Sequence, residues 1–204
     1  IEDRSPNDCA ALRSYAAEIR SEGERIADIV SSLLTFSRRD DNNIMEITSP
    51  ATLLDRVLTL TGTLLVHQDI LVQKDIPANL PQIKCAQSQI QQVLLNLVIN
   101  ARDAVNERYP EADPDKILVV KAMEHSKNGR RFVRLSVLDH GHGIPGENAS
   151  RIFEPFFTTK PQGIGTGLGL SISYGIARNH GGDLSFENLP GGGTAFHLDL
   201  PADQ

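Results

Sequence analysis

Four glycines at alternate positions, in Gly163-Ile164-Gly165-Thr166-Gly167-Leu168-Gly169-Leu170-Ser171, run straight into a helical pattern over residues 170–177. No regular strand or helix tolerates such a segment, because glycine loses more conformational freedom on ordering than any other residue. It suits a loop whose backbone must approach another group closely. At a helix start, free N–H groups and the helix dipole also favour an anion. The functional expectation is a phosphate cradle, and the bland one is a flexible loop before a capped helix. Either way, the fold must present a loop–helix junction with one open side.

The rest of the chain reads as a helical appendage followed by an α/β domain. Ile19, Ile26, Ile29, Leu33 and Phe36 are spaced 7, 3, 4 and 3 apart, a heptad seam that wants a partner helix. Arg38-Arg39-Asp40-Asp41-Asn42-Asn43 reads as a solvated linker. Residues 44–47 suit a short strand. Ser49-Pro50 then reads as an N-cap with proline at the first helical position, opening a helix to about residue 67. Residues 69–76 alternate like a half-buried strand, and 82–85 suit a short one. A long helix over about 88–108 would bury Ile90, Val93, Leu94, Leu97, Val98 and Ala101. Strands over 117–125 and 132–138 flank the hairpin turn Lys127-Asn128-Gly129. A last hairpin joins 183–187 to 194–200 through Pro190-Gly191-Gly192-Gly193. One sheet with helices on one face accommodates this order.

Two further clusters carry chemistry. Asp139-His140-Gly141-His142-Gly143-Ile144-Pro145 ends a predicted strand, and Gly141, Gly143 and Gly146 match G-x-G-x-x-G. A dinucleotide fold also needs a helix opening from the glycines and an acidic residue on the next strand, and neither follows here. There is no Walker loop and no Val-Ala-Ile-Lys or Asp-Phe-Gly set. The bland reading is a tight turn. Within the long helix, Asn96 and Asn100 stand one turn apart and share a face, although neither favours a helix interior. Two carboxamides beside an apolar stripe suit a site that needs neutral oxygen ligands, such as a hydrated Mg²⁺ bridging phosphates. A polar helix edge is the alternative.

Composition excludes several classes. With 20 Lys+Arg against 26 Asp+Glu the formal charge is −6, which argues against a nucleic-acid binder but not against binding a single nucleotide. The two cysteines, Cys9 and Cys85, are too few for a disulfide framework or a four-cysteine zinc site, and they fit a reducing compartment. No apolar run approaches the roughly 18 residues of a membrane span. The opening Ile1-Glu2-Asp3 carries no basic-then-apolar leader and reads as a cut from something longer.

Taken in this order, the Asn helix, the Asp-x-Gly-x-Gly turn, Phe153-Glu154-Pro155-Phe156-Phe157 and the Gly-Thr-Gly-Leu-Gly-Leu loop resemble the ATP-binding domain of bacterial sensor histidine kinases. That family belongs to a wider group with gyrase, the heat-shock chaperone ATPase and the mismatch-repair ATPase. The resemblance covers residues 44–201. It implies an α+β, two-layer sandwich with a mixed sheet of about five strands and three helices on one face. The segment 1–43, with Leu33-Leu34-Thr35-Phe36-Ser37-Arg38, resembles the second helix of the dimerisation and phospho-acceptor hairpin, a coiled-coil-type helix, plus its linker.

The resemblance also implies ATP and Mg²⁺ as cofactors. Asn100 is the implied Mg²⁺ ligand, with Asn96 one turn before it facing the phosphates and Asp103 on the same helix. Asp139 would accept the adenine amino hydrogen bond, while Gly141, Gly143 and Ile144 pass close to the base. The 153–157 segment would anchor a short lid, residues 158–165. Phe157, Thr158, Thr159 and Lys160 would belong to the nucleotide site, with Lys160 reaching the terminal phosphate. Gly165, Thr166, Gly167, Leu168, Gly169 and Leu170 would wrap the phosphates, and Thr194 follows the family's last glycine motif at Gly193. Asn96 and Lys160 are the implied catalytic residues.

Gyrase-type relatives carry a glutamate where Asn96 stands, and an amide cannot take a proton from water. The resemblance therefore favours phosphoryl transfer over steady hydrolysis. A gyrase- or chaperone-type ATPase and a non-catalytic nucleotide-gated interaction module are the alternatives. The implied partners are a phospho-acceptor histidine hairpin, a response regulator receiver domain and, in the full-length parent, a second copy; no nucleic acid is among them. The six histidines are His67, His125, His140, His142, His180 and His197, and none has an acceptor context. The chain thus reads as an ATP site without its own acceptor, in a cytoplasmic setting whether or not the parent is membrane-anchored.

Overall fold

The computed structural model describes residue 15 and residues 44–127, 129–161 and 165–203. The heptad segment and its linker, Asn128 and lid residues 162–164 lie outside the described residues.

The chain runs β1 (Glu46–Thr48), α1 (Pro50–His67), β2 (Leu71–Asp75), β3 (Ile83–Cys85), α2 (Gln87–Arg108), β4 (Ile117–Lys127), β5 (Arg130–Asp139), α3 (Gly146–Ala149), α4 (Gly169–Asn179), β6 (Asp183–Asn188) and β7 (Thr194–Pro201). The mixed sheet of five strands is the one the resemblance implied, but not every strand joins it. β1 and β3 pair antiparallel as a separate two-stranded ribbon, and the other five form a mixed sheet ordered β2-β4-β5-β7-β6. Only β2 and β4 run parallel. An alternation of three residues says that a strand forms but not which strand it pairs with.

The core lies on one sheet face. Leu118, Val120 and Ala122 of β4, Val133, Leu135 and Val137 of β5, and Phe196, Leu198 and Leu200 of β7 pack against α1, α2 and α4. α2 contributes Ile90, Val93, Leu94, Leu97, Val98, Ala101 and Val105, spaced three and four apart as an apolar helix face should be. Truncating a fully buried residue such as Leu94 or Leu97 to alanine would cost about 2–5 kcal/mol. The added element is α3, a single turn between the Asp139 turn and the phenylalanine segment.

Helix ends decide where the chain turns. Ser49 occupies the cap position of α1, but its side chain makes no cap hydrogen bond. At the other end Asp69 adopts φ +55°, with Asp69 N–H bonded to Val66 O at 3.1 Å and Ile70 N–H to Leu65 O at 3.0 Å. This is the left-handed C-terminal motif usually built on glycine, here formed by an aspartate that tolerates it. Gly181 does the same for α4, with Gly182 N–H reaching Ala177 O at 2.9 Å. His180 is a core histidine: its Nδ1 stands 2.8 Å from Ile176 O and its Nε2 accepts from Ala86 N–H at 3.1 Å. It ties the end of α4 to the start of α2.

The opposite sheet face carries a polar network. Arg134 donates twice to Asp199, at 2.7 and 2.8 Å, and His197 Nδ1 stands 2.8 Å from Ser136 Oγ.

Candidate functional site

β5 is registered with Asp139 opposite Leu118 and with Val137 opposite Val120. Asp139 therefore points to the core face at the end of its strand and is only 2% exposed. Its Oδ1 accepts two backbone bonds, from Gly141 N–H at 2.8 Å and Thr194 N–H at 3.1 Å. Burial pushes the carboxyl above its ordinary value, and these two bonds and His140 pull it only part of the way back. No hydrogen bond to Oδ2 occurs among the described residues, so one oxygen of a buried carboxylate has capacity to spare.

The glycines around it are needed for space. A Cβ on Gly141 would lie 2.8 Å from Ala104 Cβ, and one on Gly193 would lie 2.0 Å from Asp139 O. Thr194, after Gly193, is buried against the carboxylate to which its N–H donates. Outside the turn, Arg108 Nη1 donates to Gly141 O at 2.8 Å and to His140 O at 3.1 Å, while Nη2 reaches Gly191 O at 3.4 Å. The Asn188 side chain accepts from Ile144 N–H at 2.8 Å and donates to Ile144 O at 2.7 Å.

Asn96 and Asn100 are half-buried on α2 beside the apolar stripe. Asn96 Nδ2 donates to Ser173 Oγ of α4 at 3.1 Å. Its Oδ1 lies 2.3 Å from where a Cβ at 169 would begin, so glycine as the first residue of α4 leaves the Asn96 side chain its place. The Asn helix and the glycine loop thus meet. One turn beyond Asn100, Asp103 receives Lys160 from the lid arm at one oxygen and its neighbour Arg102 at the other.

The segment that the resemblance reads as a lid is held on both of its flanks. Phe153 packs on Tyr174 and Phe186, with ring centroids 5.3 and 6.3 Å away. Phe157 lies under the Arg151 guanidinium, 4.5 Å from the ring centre. Phe156 N–H donates to Gly167 O at 2.9 Å, and a Cβ on Gly167 would meet the Phe156 backbone at 2.4 Å. Thr158 Oγ1 accepts from Lys160 N–H and stands 2.5 Å from where a Cβ on Gly165 would lie. Thr166 Oγ1 accepts from Leu168 N–H, and Leu168 O caps the start of α4 by accepting from Ile172 N–H and Ser171 Oγ. Leu170 packs on the core. Thr159 is exposed, and among the described residues no hydrogen bond joins it to the others. Lid residues 162–164 fall outside the description.

Of the site residues read from the sequence, most fall into three clusters, Asp139 with its glycines, Asn96 with Gly169, and Asp103 with Lys160, while among the described residues no hydrogen bond ties Asn100 or Thr159 to them. Sequence reading missed Arg108, Asn188, Ala104 and Ser173. The first two are separated from their partners by 32 and 44 residues, so no local spacing could reveal them. Among the described residues two surface hollows lie elsewhere, one beside Lys127 and Arg178 and one between α1 and β2.

Residues 85–204 match the family described as Histidine kinase-, DNA gyrase B-, and HSP90-like ATPase. The chain belongs to this family. It is 37% identical over 201 residues to the sensor kinase CckA of Brucella abortus (strain 2308), covering 90% of this chain and 20% of that protein. Among solved structures it is similar to full-length ShkA in complex with AMPPNP, with a TM-score of 0.72 and 26% identity over 94% of this chain and 39% of that one. It is also similar to the histidine kinase ThkA in complex with the response regulator protein TrrA, with a TM-score of 0.72 and 27% identity over all of this chain and 53% of that one. The chain spans about a fifth of the length of CckA. The α+β sandwich with its five-stranded mixed sheet is the fold of the histidine kinase catalytic domain. Among the described residues no helix is long and apolar enough to cross a membrane.

Proposed function

We propose that the chain is the ATP-binding catalytic part of a sensor histidine kinase, which passes the γ-phosphoryl group of ATP to a histidine on a separate hairpin. The observation that carries this reading is Asp139. It is a buried carboxylate with one oxygen taken by two backbone donors and the other left for an amino group. Adenine offers such an amino group. The AMPPNP carried by the similar ShkA structure supports an adenine nucleotide as the ligand.

Gly141, Gly143 and Ile144 would lie along the base. The 165–170 segment would place backbone N–H groups against the phosphates at the start of α4. Asn100 would hold Mg²⁺ through its neutral amide oxygen, with Asn96 one turn before it facing the phosphates. Among the described residues no three His, Cys, Asp or Glu side chains gather to cage a metal. That suits Mg²⁺, which keeps waters and takes phosphate oxygens rather than a protein cage. When bound, it would supply charge neutralisation. Lys160 would exchange Asp103 for the terminal phosphate as the lid arm closes. The imidazole nitrogen then bonds to phosphorus, the bond to the bridging oxygen breaks, and ADP leaves. The chain's own contribution is positioning and charge stabilisation.

An ATPase of the gyrase kind would need a base one turn before Asn100, and the amide of Asn96 cannot serve as one. A receiver domain is the natural next acceptor, in keeping with the ThkA–TrrA complex. The parent would act as a cytoplasmic homodimer through its hairpins. The test is calorimetric titration with a non-hydrolysable ATP analogue, with and without Mg²⁺, against the GTP analogue. Adenine-selective, Mg²⁺-dependent binding is expected, and no binding at millimolar ligand would refute the proposal.

A further inference from the structure

We propose that Arg108 and Asn188 are positioning residues that set the adenine selectivity of the site from outside it. The inference rests on the reading of Asp139 as the base acceptor.

The turn after β5 has little to fix its own shape. It lies in no helix or strand between Asp139 and Gly146, and it contains Gly141 and Gly143, the latter at φ +82°. Such a segment is costly to order, and a ligand that had to order it would bind correspondingly less well. In this structure two side chains from distant elements do the ordering. Arg108, the last residue of α2, donates to the carbonyls of His140 and Gly141 on one side and of Gly191 on the other. Those carbonyls belong to the two backbone stretches whose N–H groups, Gly141 and Thr194, fix Asp139 Oδ1. One guanidinium therefore spans both halves of the carboxylate's cradle.

Asn188, at the end of β6, takes both the N–H and the C=O of Ile144 and fastens the far end of the turn to the same hairpin. The surroundings are shaped for this. A Cβ on Gly192 would lie 2.5 Å from Arg108 Nη1, and one on Gly143 would lie 3.1 Å from Asn188 Oδ1. An arginine closing a helix ordinarily satisfies its own last carbonyls or the helix dipole. Arg108 instead spends its donors on the turn.

The consequence is specific. Loosening the turn frees Gly141 N–H from Asp139 and lets the carboxylate rotate, so recognition of the base should suffer more than recognition of the phosphates. Inosine triphosphate is the discriminating probe, since it replaces the adenine amino group with a carbonyl and leaves the phosphates alone. Binding of ATP and of inosine triphosphate would be titrated into wild type, Asp139→Asn, Arg108→Met and Asn188→Asp, with the unfolding midpoint of each. Wild type should prefer ATP, and Asp139→Asn should abolish that preference. If it does not, the reading of Asp139 fails rather than this inference. Arg108→Met should reduce the preference by about five- to tenfold, the worth of one or two lost hydrogen bonds. Inosine triphosphate affinity should move less. Asn188 is exposed, so Asn188→Asp carries the test even where Arg108→Met unfolds. It keeps the acceptor but sets a carboxylate against Ile144 O, and a loss of preference is again expected. Full ATP preference in the folded variants, with Asp139→Asn having lost it, would overturn the inference. So would an equal weakening of both nucleotides.

Discussion

Asp139→Asn separates the recognition role of this carboxylate from its place in the fold. The oxygen that accepts from Gly141 and Thr194 at 2.8 and 3.1 Å can be supplied equally well by an amide, so the backbone cradle survives the change. The other position becomes an NH₂ group facing the adenine amino group, donor against donor. What is lost is a hydrogen bond to a charged acceptor, about 1.5–3 kcal/mol, or roughly 10- to 150-fold in Kd for ATP. Stability should move the other way. Asp139 has its folded pKa raised from the ordinary 3.8, first by burial. A carboxyl shifted upward contributes stability that is fully present below its unfolded pKa and lost as pH rises through the folded value. At neutral pH the ionised form is therefore held at a cost, and the neutral amide removes it. The assay pairs calorimetric titration of ATP and inosine triphosphate with the unfolding midpoint at pH 7. The expected result is a large loss of ATP affinity, a smaller change for inosine triphosphate, and an unfolding midpoint equal to or above wild type. An unchanged ATP affinity in a folded protein would refute the base-binding assignment. A midpoint well below wild type would refute the claim that Oδ1 alone serves the fold.

Three further outcomes can be checked. Asn100→Asp should alter the ratio of nucleotide affinities with and without Mg²⁺, and equal effects in the two titrations would instead indicate a folding defect. Gly169→Ala places a methyl carbon 2.3 Å from Asn96 Oδ1. The obstructing atom is the tip of a short side chain, so Asn96 should rotate away, leaving the melting temperature nearly unchanged and Mg-ATP binding weakened in calorimetry. On the outer sheet face, the His197 pKa is lowered from 6.5, first by burial and then by Arg134. The unfolded chain therefore takes up this proton first, and stability should fall as pH drops from 6.5 through the folded value. Burial acts to raise Asp199, but the bonds and charge of Arg134 and the nearby His125 outweigh it and hold it below 3.8. Its contribution should be lost only in stronger acid. Chemical denaturation between pH 7 and 5 should show a slope that His197→Gln flattens.

The parts of the fold that were legible are those whose cause is local. The apolar spacing of α2 and the alternation along β4 and β5 each follow from neighbours within a few residues, and so does the two-residue turn that pairs Lys127 with Arg130. Asp139, the Asn pair and the glycine loop were visible for the same reason. What stayed hidden depends on register between distant elements. The bond from Lys160 to Asp103 spans 57 residues and that from Asn96 to Ser173 spans 77. The C-terminal turn of α1 was hidden differently: its left-handed residue is Asp69, and composition gives no reason to expect an aspartate rather than glycine there.

One signal was present in the sequence and unread. Asn96, Asn100, Ala104 and Arg108 follow at intervals of four along α2. Each step advances one turn and drifts about 40° around a helix of 3.6 residues per turn. The row therefore winds from the α4 side, where Asn96 meets Gly169 and Ser173, to the β5 side, where Ala104 backs Gly141 and Arg108 takes the turn's carbonyls. The eight residues from Asn100 to Arg108 make a rise of about 12 Å. A nucleotide held as proposed, by its metal at one end and by its base at the other, would thus be measured against a single rigid helix. The buried residues Leu97, Ala101 and Val105, one position after the row, explain why that helix cannot shift or roll without opening the core. The same stripe that folds the domain would thereby fix the distance between the two proposed binding ends.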